Sequence, residues 1–420
     1  MEAVKLVSSD PSERPDTYRV AYIIHFLLGA GNLLPWNALI TAVDYFAYLY
    51  PTKHIEKVFS VAYMISSVMV LLGMISWGGW SKTTLRLRMN LGFSMFVMSL
   101  MVAPVIDWTS SSTKLNERPS GAYGLTVAAV VICGLADGLV GGSLIGSAGK
   151  LPKQYMQAVF AGTASSGTKA IHSVPSKFNS LSLISPLAGI IISILRIITK
   201  ASLPQTPKGL KISAHLYFMV ATIFLLCCVI FSNLQHKLPV MQQYHQRLHQ
   251  ESTLCTGTKF WAVAGKIKGA AFGIFIIYIV TLSIFPGFIA EDLESKLLRD
   301  WYPILLITVY NLADLIGKSL TAFYVMQSMT RAIWVATARL LFYPLFVVCL
   351  HGPKWLKTEV PMVVLTFLLG FSNGYLTSVL MILAPKSVPL SESELSAIVM
   401  TGFLGFGLVG GSVLGWFWIL

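Results

Sequence analysis

Gly29-Ala30-Gly31-Asn32-Leu33-Leu34-Pro35-Trp36-Asn37 lies in the middle of an apolar run from Tyr22 to Phe46. The run is long enough to cross a bilayer as a helix, which takes roughly 20 residues. A helix serving only as an anchor has no use for a proline, two glycines, two asparagines and a tryptophan at its centre. Pro35 lacks a backbone N–H and predicts a kink, while Gly29 and Gly31 let another backbone or a solute come close. At about 100° per residue, His25, Gly29, Asn32 and Trp36 fall within about 60° of one another as a polar and aromatic stripe. Hydrocarbon leaves polar groups unsatisfied, so the stripe is expected to face a bundle interior or a watery cavity.

The rest of the chain has the same character. Of 420 residues, 55% are hydrophobic and only 12% charged, with a mean hydropathy of +0.69. This is too apolar for a water-soluble domain and predicts an all-α polytopic membrane protein with the lipid bilayer as its solvent. Apolar runs centre on 22–46, 58–77, 90–106, 123–144, a broken region 155–198, and 215–233. After a polar interlude they resume at 272–288, 302–326, 333–350, 360–382 and 396–418. That makes about eleven spans, arranged six plus five around the interlude. The expected divisions are a cytoplasmic N-terminal tail 1–19, a six-helix bundle 20–234, a cytoplasmic loop 235–268 and a five-helix bundle 269–420. The tail is polar, carries Pro11 and Pro15, and has no apolar stretch of the signal-peptide kind. A small excess of Lys and Arg on the N-terminal side favours a cytoplasmic N-terminus.

The net charge of +13 is spread over many short loops and suits lipid headgroups, with no basic patch for nucleic acid. The five cysteines show no metal or redox spacing and read as packing residues. No metal or cofactor is expected. Gly134, Gly138, Gly142 and Gly146 in the fourth span, and Gly407, Gly411 and Gly415 in the last, recur every fourth residue. That spacing predicts close helix crossings.

Several polar side chains within the spans need a reason to be there. Asn311, Asp314, Lys318 and Thr321 lie within about 80° on a helical wheel, and Asp314 precedes Lys318 by four residues, the favourable order for an ion pair. Each charge alone costs roughly 2.5 to 3.5 kcal/mol at a helix centre on insertion scales, so the two are expected to pair or to face water. They read as a clamp for a polar solute, or else as a pair fixing helix register. Asp137 has no partner within one helical turn. It is a candidate for proton coupling, or a packing residue bonded to neighbouring helices. His25 is the other titratable candidate, with a plain hydrogen-bonding role as its alternative. Trp36 offers a face for stacking, and Asn32 or Asn37 a partner for a heteroaromatic edge. Gly370, Asn373, Gly374 and Thr377 add a similar stripe to the tenth span. Arg339, near the centre of the ninth, is expected to contact backbone carbonyls or an acid. There is no phosphate loop, nucleophile elbow, HExxH or nucleotide fingerprint, so the pattern favours secondary transport over enzymatic chemistry.

Gly31-Asn32-Leu33-Leu34-Pro35-Trp36-Asn37, with Ile40-Thr41-Ala42 and Tyr45-Phe46, resembles the first span of equilibrative nucleoside transporters. Also similar are Phe285-Pro286, Asn311 to Leu320, Ala338-Arg339-Leu340, Gly370-Phe371-Ser372-Asn373-Gly374-Tyr375 and Pro385-Lys386. The matches run in order from about Tyr18 to Leu420, and the wording at 17–57 and 201–242 resembles the plant branch. The resemblance implies a major-facilitator-like fold of two bundles and purine and pyrimidine nucleosides as solutes. It places Trp36 beside the base and Asp314 and Lys318 near the ribose, with Asn32, Asn37, Asn311 and Asn373 completing the substrate site. It leaves proton symport as well as passive transport open, at the plasma or vacuolar membrane. Three features depart from the family pattern. Lys318 stands where animal relatives often carry arginine, which loses the bidentate fork. Thr163 follows Gly162 where a glutamine is common. Thr168–Gly189 is a proline-bearing polar segment within the fifth span that reads as a retained, unspliced intron, or as a lineage-specific loop. The alternatives to a nucleoside carrier are a receptor or scaffold that moves no solute, and a carrier of another polar metabolite such as a sugar.

Overall fold

The computed structural model describes residues 20–51, 55–76, 83–109, 121–165, 206–242, 260–285, 302–351, 353 and 359–415. The N-terminal tail, the segment 168–189, Pro286, Cys255 and most of the central loop lie outside the described residues. Among those described, the regular structure is helical: α1 (Val20–Thr41), α2 (Val43–Leu49), α3 (Ile55–Ser76), α4 (Leu85–Thr109), α5 (Gly121–Gly149), α6 (Lys153–Ser165) and α7 (Pro207–Gln235) precede the loop. After it come α8 (Phe260–Ile284), α9 (Tyr302–Leu320), α10 (Met329–Ala338), a 3-10 turn (Arg339–Leu341), α11 (Phe342–His351), α12 (Glu359–Lys386) and α13 (Leu390–Leu414).

Eight of these stretches are long and apolar enough to cross a membrane: α1, α4, α5, α7, α8, the α10–α11 unit, α12 and α13. The protein is an integral, multi-pass membrane protein. Helix α3 is apolar over the shorter range Val58–Met74, α9 is interrupted by its own polar face, and α6 is described only as far as Ser165. The outer surface carries large apolar side chains such as Met98, Ile230, Trp261, Trp334 and Val360. Charged and amide side chains such as Asp314, Lys318, Arg339 and Asn373 are buried. Apolar outside and polar inside is the arrangement hydrocarbon enforces.

Helices before the loop pack mainly on one another, as do those after it. The two groups meet where α13 lies against α3 and α5, and where α6 lies against α9 and α12. Glycine decides how closely the helices cross. At the α1–α6 crossing, Gly29 lies on the Val159 carbonyl and Gly162 on the Phe26 carbonyl, so each helix offers a bare backbone to the other. The α9–α12 crossing repeats this, with Gly317 on the Phe371 carbonyl, Gly370 on that of Tyr310 and Gly374 on that of Asp314. The expected glycine ladders also pack tightly: Gly134 and Gly138 lie against Tyr63, Ser66 and Ser67 of α3, and Gly407 and Gly411 against α8.

Helix α1 runs unbroken through Pro35, and the chain breaks instead at Ala42 (φ −88°, ψ 11°), which leads into α2. Proline removes only the hydrogen bond to Gly31, four residues back, and the packing of α1 on α6 and α7 keeps the helix going.

A β-carbon at Gly374 would sit 3.0 Å from the Lys318 amide nitrogen and closer still to the Asp314 carbonyl, while one at Gly265 would meet nothing within 4 Å. Gly374→Val should therefore destabilise the purified protein by at least about 1–3 kcal/mol, seen as a lower thermal midpoint in detergent, whereas Gly265→Ala should leave the midpoint unchanged.

Candidate functional site

The glycine crossings fix the residues beside them. Gly162 precedes Thr163, Gly317 precedes Lys318 and Asn373 precedes Gly374, so the closest backbone approaches carry polar side chains to the meeting line of the two groups. A cavity of ≈ 240 Å³ lies there. Its wall takes Asn32, Trp36 and Asn37 from α1, Tyr63 and Ser67 from α3, Asp137 from α5 and Thr163 from α6. From the other group it takes Tyr278 and Thr281 of α8, Asn311, Asp314 and Lys318 of α9, and Asn373 of α12.

Asp314 Oδ2 is 2.8 Å from Lys318 Nζ, within one helix. Asp314 Oδ1 accepts from Asn373 Nδ2 at 2.7 Å, and Asn373 Oδ1 accepts from the Thr281 hydroxyl at 2.9 Å. Lys318 also reaches across to Thr163 Oγ1, at 3.5 Å. The lysine thus spans both groups of helices, and Thr163, singled out in the sequence only as a departure, joins the wall. On the other side Asp137 accepts from Ser67 Oγ at 2.7 Å and from Asn32 Nδ2 at 3.3 Å, partners supplied by neighbouring helices. Asn32 Oδ1 has no hydrogen-bond partner among the described residues.

Aromatic rings face the cavity from both groups. Trp36 packs on Tyr63 with centroids 4.8 Å apart and planes at 45°, and Phe285 stacks on Tyr310 at 3.9 Å and 14°. Sequence reasoning singled out Trp36 but missed Tyr63, Ser67 and Thr281. Tyr63 and Ser67 are four residues apart in an apolar run, a small stripe that the same wheel would have shown.

His25 is not with the others. It lies against Tyr155 at 5.0 Å between ring centroids, away from the cavity wall, and both its ring nitrogens are occupied. Nδ1 is 2.7 Å from the Ala21 carbonyl, which can only accept, so Nδ1 carries the proton; Nε2 then accepts from the Gln235 amide at 3.0 Å. Such an imidazole is a neutral structural link between α1 and α7. Arg339 also differs from expectation: its partners are hydroxyls, Ser372 Oγ at 2.9 Å and Thr281 Oγ1 at 2.7 Å.

The cavity extends towards Ile40, Thr41, Phe285, Ile307 and Thr308. Beyond Lys318, the opposite end is closed by contacts between the groups. Lys150 at the end of α5 pairs with Glu394 of α13, Gly146 and Gly149 lie on Ile398 and Ala397, and Gln157 Nε2 of α6 donates to the Thr321 carbonyl at 2.7 Å.

The fold is that of major facilitator transporters. A human organic anion transporter, MFSD10, superposes with a TM-score of 0.59 at 14% identity over 97% of this chain and 95% of its own. The proton:xylose symporter XylE gives 0.57 at 9% identity over 96% and 89%. The profile of the nucleoside transporter family matches residues 170–259 and 247–420. Equilibrative nucleotide transporter 8 of Arabidopsis thaliana is 61% identical over 414 residues, 98% of each chain. This chain belongs to the nucleoside transporter family. Equilibrative nucleotide transporter 1 of the same plant is 46% identical over 417 residues, 96% of this chain and 87% of the relative. Within this family member, the profile match opens at residue 170, inside the segment that the motif pattern set apart as an insertion.

Single cysteines test the wall directly. Thr163→Cys and Trp36→Cys should react with a small hydrophilic thiol reagent above the parental background, and a bound solute should slow that reaction. His25→Cys should not react above background; labelling measured by mass spectrometry separates the cases.

Proposed function

We propose that this transporter carries nucleosides across the membrane by alternating access, with the two helix groups, 20–234 and 269–420, rocking around the shared cavity. The observation that carries this reading is the joining of Asp314, Lys318 and Asn373 from one group to Trp36, Asn32 and Asp137 from the other around one solute-sized space. A nucleoside has a flat heteroaromatic ring and vicinal hydroxyls, and both lose water hydrogen bonds on entering lipid. The aromatic face of Trp36 suits the base, purine or pyrimidine. Asn32 and Asn37 suit its polar edge. Asp314, Lys318, Asn311 and Asn373 suit the ribose hydroxyls, which both donate and accept.

The same wall argues against a phosphorylated solute. Among the described residues its charged side chains are Asp137, Asp314 and Lys318, and that ammonium is already paired with a carboxylate. A phosphate dianion would meet two like charges and, among the described residues, no unpaired cation in the wall, at a cost magnified by low dielectric. The closed end beyond Lys318 and the extension towards Thr41 and Phe285 suit an outward-facing state if the N-terminus is cytoplasmic. Of the two groups considered for proton coupling, Asp137 borders the cavity and His25 does not, which makes Asp137 the candidate for a proton site if transport is coupled.

Uptake of labelled adenosine and uridine into transport-deficient cells tests this reading. Saturable uptake of both is expected, with unlabelled nucleoside competing and the corresponding monophosphate not. Asp314→Asn and Trp36→Ala should each raise KM about tenfold or more at equal membrane abundance. Collapse of uptake on adding a protonophore, and its insensitivity to protonophore in Asp137→Asn, would support coupling at that residue. Competition by hexose without competition by nucleoside would point to a sugar carrier, and saturable binding without flux to a receptor.

A further inference from the structure

Arg339 lies behind the cavity wall, contributes no atom to it, and is 3% exposed. It occupies the 3-10 turn between α10 and α11, where the break in the ninth span directs its side chain back across α8 and α12. Among the described residues its hydrogen-bond partners are two hydroxyls, with the Phe342 ring 5.8 Å from Cζ, a costly setting for a buried guanidinium. The direction of its hydrogen bonds shows what it does. Arginine can only donate, so Thr281 Oγ1 must accept from it, at 2.7 Å. The single hydroxyl proton of Thr281 is then left for the Ile277 carbonyl at 2.8 Å and Asn373 Oδ1 at 2.9 Å. With its oxygen turned to Thr281, the Asn373 amide must present its NH2 to Asp314 Oδ1, at 2.7 Å. That leaves Asp314 Oδ2 for Lys318.

We infer that Arg339 is a positioning residue for the solute clamp: through Thr281 it fixes which way the Asn373 amide faces, and so holds Asp314 in the orientation that reads solute hydroxyls. The reasoning rests on the ribose assignment made under the proposed function. Arg339 occupies one lone pair of Thr281 and sets its positive charge beside that hydroxyl, so the side of Asn373 facing it is favoured as oxygen and disfavoured as NH2. Without it the amide can rotate, turn its oxygen towards the Asp314 carboxylate and push the acid away. Every bond in the chain then runs donor to acceptor from the guanidinium to the carboxylate, and the buried charge of Arg339 is directed at the opposite charge of Asp314 through two neutral side chains.

A general loss of structure would reduce transport of every solute alike, whereas loss of orientation should matter only where hydroxyls are read. KM is therefore compared for uridine and for 2′,3′-dideoxyuridine, which lacks those hydroxyls, with maximal rates normalised to surface abundance. Asp314→Asn, Arg339→Gln and Thr281→Val are each expected to raise KM for uridine about tenfold and that for the dideoxy compound less than about twofold. Arg339→Gln in the Asp314→Asn background should add nothing further. Should Arg339→Gln fail to reach the membrane, Thr281→Val and Thr281→Ser make the same comparison, serine retaining the hydroxyl and the parental KM ratio. If Asp314→Asn raises both KM values equally, the ribose assignment fails. If Asp314→Asn discriminates between the two solutes but Arg339→Gln or Thr281→Val does not, the positioning role is overturned.

Discussion

The ion pair between Asp314 and Lys318 is the constraint to which the rest of the structure answers. Two charges on one helix inside the membrane cannot be left to lipid, and pairing them alone leaves lone pairs and N–H groups unsatisfied. Asn373 supplies a donor to the acid from α12, and Thr163 supplies an acceptor to the lysine from α6, across the line between the two groups of helices. The pair thus needs both a neighbour in its own group and one in the other. A cavity at that meeting line follows, because side chains shaped to hydrogen-bond a solute do not fill space as leucine does. Lysine in place of arginine gives up a planar two-pronged contact but retains several donors, enough to bond Asp314 and Thr163 together.

Glycine makes this arrangement possible. Packing in lipid gains little from hydrophobic burial and depends on close contact, so helices that must bring polar groups together have to approach backbone to backbone. Gly29 and Gly162 do this for α1 and α6, and Gly317, Gly370 and Gly374 do it for α9 and α12. The two crossings belong to different groups yet share one design, each carrying its functional residue next to a glycine. A residue larger than glycine at these points would separate the helices and with them the partners of the ion pair.

The eighth span, helix α9, and the interior stripes were legible because charge and amide groups stand out against an apolar run, and the helical wheel placed Asn311, Asp314 and Lys318 on one face correctly. The wheel says nothing about height. His25 shares an azimuth with Asn32 and Trp36 but lies seven residues below Asn32, about 10 Å along the axis, and there it meets Gln235 and Tyr155 instead of the cavity. Pro35 marks the first span in the sequence, but the point where its helix ends, Ala42, carries no such signal. Partners across helices were not legible at all: nothing local to Asp137 points to Ser67, and nothing local to Arg339 points to Thr281. Such pairings are set by which helices cross, a property of the whole fold. Thr163 illustrates the same limit, since a short hydroxyl at that position gains its meaning only from Lys318 opposite.

The central claim is that a single chamber, bounded by both groups of helices, is open to one side of the membrane at a time. Counterflow in proteoliposomes tests it most directly. Vesicles loaded with a high concentration of unlabelled uridine are diluted into a trace of labelled uridine, and internal label is followed over time. A carrier whose loaded site alternates between sides exchanges inner for outer solute, so labelled uridine should rise transiently above its equilibrium level and then decline. A monotonic approach to equilibrium, with no overshoot at any loading concentration, would contradict the account.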